Sequence, residues 1–154
     1  MFVEIPADYD LDGDSMSGAD TSPNGNCEAG LLCIHVAILE LQNDSVWVMD
    51  ATIKRGVDRY PLDDFFQDFT LKDGSLPVFK VMRLKDNSRA GEFVQNAKKY
   101  LGLPYDVYFL PDNDAMYCSE LVRDSYVIPD TGCIFSLEIP QRDGLPRHRP
   151  KGMG

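Results

Sequence analysis

The sequence predicts an α+β fold built around an antiparallel sheet, and three observations support this. Apolar runs of strand character over residues 31–41 and 46–53 flank Gln42-Asn43-Asp44-Ser45, a turn tetrad, and so predict a hairpin. Ala90, Phe93, Val94, Ala97 and Leu101 recur at helical spacing. Strands and helices do not alternate regularly, which argues against a parallel sheet with crossover helices.

The elements follow in order. Residues 2–5 form a short apolar start of strand type. Residues 7–26 shift to Asp, Gly, Ser, Asn and Pro and read as a long loop, a kind that is often functional inside a compact domain. The run over 31–41 is interrupted only by His35 and Glu40 and reads as one buried strand. Residues 60–69 place Leu62, Phe65, Phe66 and Phe69 after Pro61, which predicts a short helix opening at a proline. A strand follows over 77–84. The helix over 88–101 takes Ser88 as its N-cap and Gly102 as its stop. A second, short amphipathic helix starts at Cys118 and ends before Pro129, and a last strand covers 133–139.

A length of 154 residues fits one domain, 1–154, with 140–154 as an extended tail because Pro140, Pro146 and Pro150 punctuate it. Arg142, Arg147, His148, Arg149 and Lys151 make that tail basic, and a solvated terminus is the expected reading over a binding patch. The net charge of −10 disfavours nucleic acid as a partner, since phosphates need a basic surface. No apolar run approaches the roughly 20 residues of a membrane span. No basic-then-apolar leader is visible, which predicts a cytosolic chain or a mature form lacking its signal. Cys27, Cys33, Cys118 and Cys133 form no CxxC pair and no zinc-ligand spacing, so a reduced, metal-free set is expected, with no cofactor.

One constellation carries chemistry. The unpaired amides and dipole at a helix N-terminus favour a thiolate, and Cys118 stands at such a position. His35 lies in the first hairpin strand and Asp50 in the second. With the turn centred between Asn43 and Asp44, Ala37 faces Asp50 and His35 sits diagonally from it on the same face. Centred one residue earlier, His35 and Asp50 face each other directly, and both registers bring carboxylate and imidazole within reach. Cys118 would then be the nucleophile, His35 the base, and Asp50 the group that fixes the imidazole tautomer. The Cys118 N–H offers an oxyanion donor, with a Tyr105 or Tyr117 hydroxyl as a second. Each residue has a plainer reading by itself: a core thiol, a hydrogen-bonded core histidine, a strand-end carboxylate. Their conjunction favours a thiol hydrolase.

Asp8-Tyr9-Asp10-Leu11-Asp12-Gly13-Asp14 matches the first half of a calcium loop, but Ala19 stands where the bidentate glutamate belongs. A solvated acidic loop is therefore expected, with Asp8, Asp10, Asp12 and Asp14 as a weak calcium set.

The order His35-Val36-Ala37-Ile38, Val48-Met49-Asp50-Ala51, Gly102-Leu103-Pro104-Tyr105-Asp106, Tyr117-Cys118-Ser119-Glu120-Leu121-Val122 resembles the circularly permuted NlpC/P60 papain-like proteins, in particular their YiiX/YebB-like branch. Ordinary members of that group carry the cysteine helix first. The similarity runs through Gly56-Val57, Pro61-Leu62-Asp63 and Phe65, and reaches Ser15-Met16-Ser17, so it spans roughly residues 1–140. It implies a permuted papain-like fold, an antiparallel sheet or partial barrel packed on the cysteine helix. It also implies a triad of Cys118, His35 and Asp50, where relatives more often carry glutamate in place of the aspartate. Ser15 and Ser17 join Tyr105 and Tyr117 as substrate-binding or oxyanion residues. The implied activity is hydrolysis of an amide in a cell-wall stem peptide or an N-acylated small molecule or lipid, and the resemblance leans towards the bacterial envelope. The competing class is a ligand-binding module with little turnover on the same scaffold.

Overall fold

A computed structural model gives the fold, and it describes residues 1–6, 31–110 and 113–135. Among these residues, eight strands and three helices follow in the order β1 (Phe2–Pro6), β2 (Leu31–Val36), β3 (Ile38–Gln42), β4 (Ser45–Thr52), β5 (Gly56–Pro61), α1 (Leu62–Asp68), β6 (Val78–Lys80), α2 (Ala90–Lys98), α3 (Cys118–Ser125), β7 (Val127–Ile128) and β8 (Gly132–Cys133). The described strands form three antiparallel sheets, ordered β2-β1-β6, β3-β4-β5 and β7-β8.

The hairpin adopts the first of the two expected registers, with Ile38 opposite Met49 and Gln42 opposite Ser45. Asn43 and Asp44 both take positive φ, 51° and 60°, as a two-residue turn of primed type requires. The expected single strand over 31–41 is instead two. At Ala37 the chain leaves β4: the Ala37 N–H donates to the Met1 carbonyl at 2.8 Å, and the Met1 amine donates to the Ala37 carbonyl at 2.6 Å. β2 thus pairs with β1, and β3 with β4.

Strand alternation sorts the central sheet into two faces. Ile38, Met49, Ala51 and Val57 form one face and pack with Ala97 of α2 and Leu121 of α3. Val48 and Tyr60 form the other and pack with Val3 and with Phe65 of α1. Asp50, two residues from Val48, points to this second face. Phe65 is fully buried, and burial of such a side chain is worth roughly 1.5–3 kcal/mol.

Several expected boundaries move. Tyr60 and Pro61 end β5 rather than open the helix, and α1 begins at Leu62 with Pro61 as its N-cap. The α2 N-cap is Arg89, not Ser88, because the Ser88 N–H is already turned to Asp86 Oδ1 at 3.0 Å. Only Val78–Lys80 of the strand expected over 77–84 pairs, being as long as its match on β1. The last strand is described as Gly132–Cys133, and residues 136–139 lie outside the described residues, as does the expected tail.

Two backbone contacts carry the chain from this sheet to the cysteine. The Val57 N–H donates to the Leu103 carbonyl at 2.8 Å, and the Gly102 N–H to the Val57 carbonyl at 2.9 Å. Gly56, at φ +68°, cannot be replaced here: a Cβ would lie 2.6 Å from the Leu103 carbonyl oxygen. The turn over residues 102–106 then pairs with the strand-like segment before α3 through Asp106 N–H to Met116 carbonyl, 3.0 Å, and Met116 N–H to Pro104 carbonyl, 3.0 Å.

Candidate active site

Cys118 opens α3, whose N-cap, Tyr117, has extended backbone (φ −104°, ψ 168°). The Glu120 carboxylate reaches back to the Tyr117 N–H at 3.4 Å and helps fix the start of the helix. α3 packs on β2 and β4, the two strands that carry His35 and Asp50. His35 is thus not in the hairpin ladder as expected, since its strand pairs with β1, yet its side chain still reaches Asp50 across the break at Ala37. His35 Nε2 lies 2.7 Å from Asp50 Oδ2, both buried, and the Tyr60 hydroxyl donates to the same oxygen at 2.8 Å. Asp50 Oδ1 is buried with no hydrogen-bond partner among the described residues.

The imidazole is also held by rings. Phe69 stacks on it with centroids 4.8 Å apart, and Phe65 lies at 6.3 Å. With Nε2 engaged by Asp50, Nδ1 is the nitrogen left for the Cys118 thiol, which hydrogen-bonds the same ring.

Electrostatics follow from this geometry. Burial opposes a charge on His35, but the hydrogen bonds to Asp50 and Cys118 and their charges outweigh it and raise the imidazole to about 9. Burial likewise works to raise the Cys118 thiol. The His35 hydrogen bond and charge, with backbone hydrogen bonds at Val36 and Ser119, prevail and bring it below its ordinary value. Both shifts favour a thiolate beside an imidazolium. Burial first, and then the Asp50 charge, push the Tyr60 phenol well above its usual range, so it stays a neutral donor.

The two candidate tyrosine donors separate. Tyr105 feels the charge of Cys118 and, chiefly through burial, is pushed up to about 12. Both rings lie edge-on to Phe109, at 6.4 Å for Tyr105 and 5.2 Å for Tyr117, but the Tyr117 hydroxyl feels Glu120 and Arg123. Ser15, Ser17 and the acidic set Asp8, Asp10, Asp12 and Asp14 lie outside the described residues, as does Cys27. Among the described residues no group of three or more His, Cys, Asp or Glu side chains is placed to hold a metal ion. No helix there is long and apolar enough to cross a membrane.

Sequence reasoning missed Tyr60. The signal was present: Tyr60 faces Val48 across β4 and β5, so it shares a face with Asp50. Seeing it required recognising residues 56–61 as a strand, which Asp58 and Arg59 disguise.

Comparison with known proteins gives one match. A family model described as permuted papain-like amidase enzyme, YaeF/YiiX, C92 family, matches residues 32–139. No curated protein and no solved structure matches the chain.

Proposed function

The chain belongs to the permuted papain-like amidase family of the YaeF/YiiX type, and from that membership we propose that it cleaves its amide bond through Cys118, His35 and Asp50. The observation that best supports the reading is a single imidazole held between a buried carboxylate, at 2.7 Å, and the thiol at the start of α3.

The steps follow from those positions. The Cys118 thiolate adds to the amide carbonyl, and the oxyanion meets the N–H at the helix start, with the Tyr105 hydroxyl as second donor. His35, protonated, gives its proton to the nitrogen as the C–N bond breaks, leaving an S-acyl enzyme and a free amine. Water, deprotonated by His35, then attacks the thioester and restores the thiolate. Asp50 holds the ring so that Nδ1 faces sulfur, and its charge supports the imidazolium. Tyr60 holds Asp50. The substrate is an amide in a short peptide of cell-wall type or an N-acylated small molecule.

Alkylation tests the assignment without a substrate. At pH 6, Cys118 reacts with iodoacetamide faster than Cys27, Cys33 or Cys133, and His35→Ala removes the advantage. Equal rates at all four thiols would sink the nucleophile assignment and leave a binding module on this scaffold.

A further inference from the structure

The end of α1 breaks an electrostatic rule. Cations are favoured in the last turn of a helix, and an acid there opposes the dipole. The last turn of α1 holds no basic residue and closes on Asp68. Both carboxylate oxygens of Asp68 accept from the turn between β4 and β5. Lys54 Nζ donates to Oδ1 at 2.7 Å, and Arg55 Nε donates to Oδ2 at 2.6 Å. The Lys54 side chain is 70% exposed, whereas those of Arg55 and Asp68 are 24% and 12% exposed, so the arginine is the stronger tie. Its hydrogen bond is also the main cause that holds the Asp68 carboxyl below its ordinary range.

The residue after Asp68 covers the imidazole. The Phe69 N–H donates to the Phe65 carbonyl at 3.1 Å and closes α1. Its ring lies on His35 with centroids 4.8 Å apart and planes 28° from parallel. Phe69 is half-buried, and its place depends on where α1 ends. A covered face keeps the imidazole from turning away from its partners, and an aromatic face against an imidazolium favours the charged form. Those partners are Asp50 of β4 and Cys118 of α3, with Tyr60 of β5 behind Asp50. β1 sets Val3 opposite His35, and α1 faces it with the Phe65 and Phe69 rings.

We propose that the Arg55–Asp68 ion pair is a positioning device for the active site: by gripping the end of α1 it sets Phe69 against His35 and keeps Nδ1 of that ring toward Cys118. The proposal rests on the Cys118–His35 reading and adds to it two residues that act through Phe69. Arg55 also lies 4.2 Å over the Tyr60 ring. That contact works in the opposite sense on the imidazole's charge, because losing it loosens a donor from Asp50, and losing a nearby cation favours the imidazolium as well. The position of Phe69 is therefore the quantity to read in Arg55 variants.

Proton NMR of the full-length protein reads it, since the chain has only two histidines, His35 and His148, and His148→Gln identifies their signals. A ring stacked on an imidazole displaces its proton signals upfield. Phe69→Leu keeps an apolar side chain and removes that displacement. Its His35 titration midpoint falls from about 9 by about one pH unit, a tenfold change in protonation. Arg55→Met keeps the stem, loses the donors and reproduces most of the lost displacement with Phe69 still present. Asp68→Asn breaks the pair from the other side and does the same, so the test survives if one variant fails to fold. Arg59→Met is the matched control, because Arg59 is likewise set between a carboxylate and an aromatic ring, on the Glu40 side of the sheet. It leaves the His35 signals and midpoint in place. On any amide the wild type turns over, Phe69→Leu and Arg55→Met lower kcat about tenfold and keep KM within about twofold.

An undiminished displacement in Arg55→Met and Asp68→Asn would overturn the clamp. So would an equal loss in Arg59→Met, which would show general loosening of the sheet. A midpoint that stays near 9 in Phe69→Leu would overturn the role of its ring. Failure of the Cys118–His35 reading would show separately, as equal alkylation of the thiols in the wild type, while the NMR signals report the clamp whether or not Cys118 reacts.

Discussion

Glu40 and Asp50 are buried carboxylates on adjacent strands of the central sheet, facing opposite sides, and they are held in opposite ways. Glu40 accepts from Arg59 Nε at 2.7 Å and Lys98 Nζ at 2.8 Å. Burial works to raise its carboxyl, but the hydrogen bonds and charges of Lys98 and Arg59 hold it below the ordinary range. Arg59 is fixed in turn by Gln42 at 2.7 Å and by the Trp47 ring, 4.1 Å below its guanidinium. Asp50 is bonded only by His35 and Tyr60 among the described residues. Permanent cations close the first site, and nothing there can move a proton at ordinary pH. An imidazole closes the second, so its charge is conditional, and that makes it suited to chemistry.

The largest way to sharpen the contrast is His35→Ala. If His35 is the general base and acid proposed above, its loss lowers kcat/KM by roughly 10²–10⁴ on any amide the wild type turns over. An effect below tenfold would place His35 outside the reaction.

Asp50→Asn comes next, keeping the shape and removing the charge. The imidazole falls from about 9 towards its ordinary 6.5, and kcat/KM drops about ten- to a hundredfold, the size of one to two pKa units. The pH profile is the sharper readout. The proposed mechanism needs His35 protonated, so activity is expected to decline as pH rises through about 9 and, at the acid side, as Cys118 protonates. In the variant the basic limb moves down. Stability carries the same sign: the contribution of the raised His35 is fully present below pH 6.5 and is lost as pH rises through about 9. A basic limb that stays near 9 in Asp50→Asn would show that Asp50 does not sustain the imidazolium.

Glu40→Gln breaks the other side of the comparison. Two partly buried cations lose their carboxylate, costing about 1–3 kcal/mol in a denaturant titration. The folded fraction keeps kcat/KM within about twofold and its basic limb in place, because Glu40 lies on the face turned from His35. A displaced limb would mean that the two faces are electrically joined.

Much of this arrangement was legible in the residues. The Asn43-Asp44 turn fixes the hairpin register as far as Ile38 and Met49, and β2, leading into that strand, places His35 beside Asp50. Helical spacing fixes α2 approximately, and Cys118 reads as a helix start. The break at Ala37 was not legible, because it arises from competition for backbone between β4 and the chain's first residues, which are remote in sequence. β5 was hidden because Arg59 and Asp58 read as loop residues, although Arg59 points to the Glu40 side and has its partner there. The divergence of Tyr105 and Tyr117 was also hidden. It depends on neighbours that spacing does not supply: Cys118 beside the Tyr105 hydroxyl, and Glu120 and Arg123 beside that of Tyr117.

Tyr60→Phe gives the smallest effect and probes the hidden strand directly. The phenol donates to Asp50 Oδ2, the oxygen also bound by His35, while the Arg55 guanidinium sits 4.2 Å from its ring and is anchored by Asp68 at 2.6 Å. Phenylalanine keeps the ring, its packing against Phe65 and the Arg55 contact, and removes only the hydroxyl. The loss is about 1 kcal/mol of stability, measured as a shift in denaturant midpoint. Freed from one donor, Asp50 concentrates its charge on the imidazole, so the basic limb moves up rather than down, opposite to Asp50→Asn. The opposed directions are the test, since both variants remove a hydrogen bond from the same carboxylate system. A downward shift in Tyr60→Phe would mean that the hydroxyl supports the imidazolium only by positioning Asp50, with no competition for its oxygen.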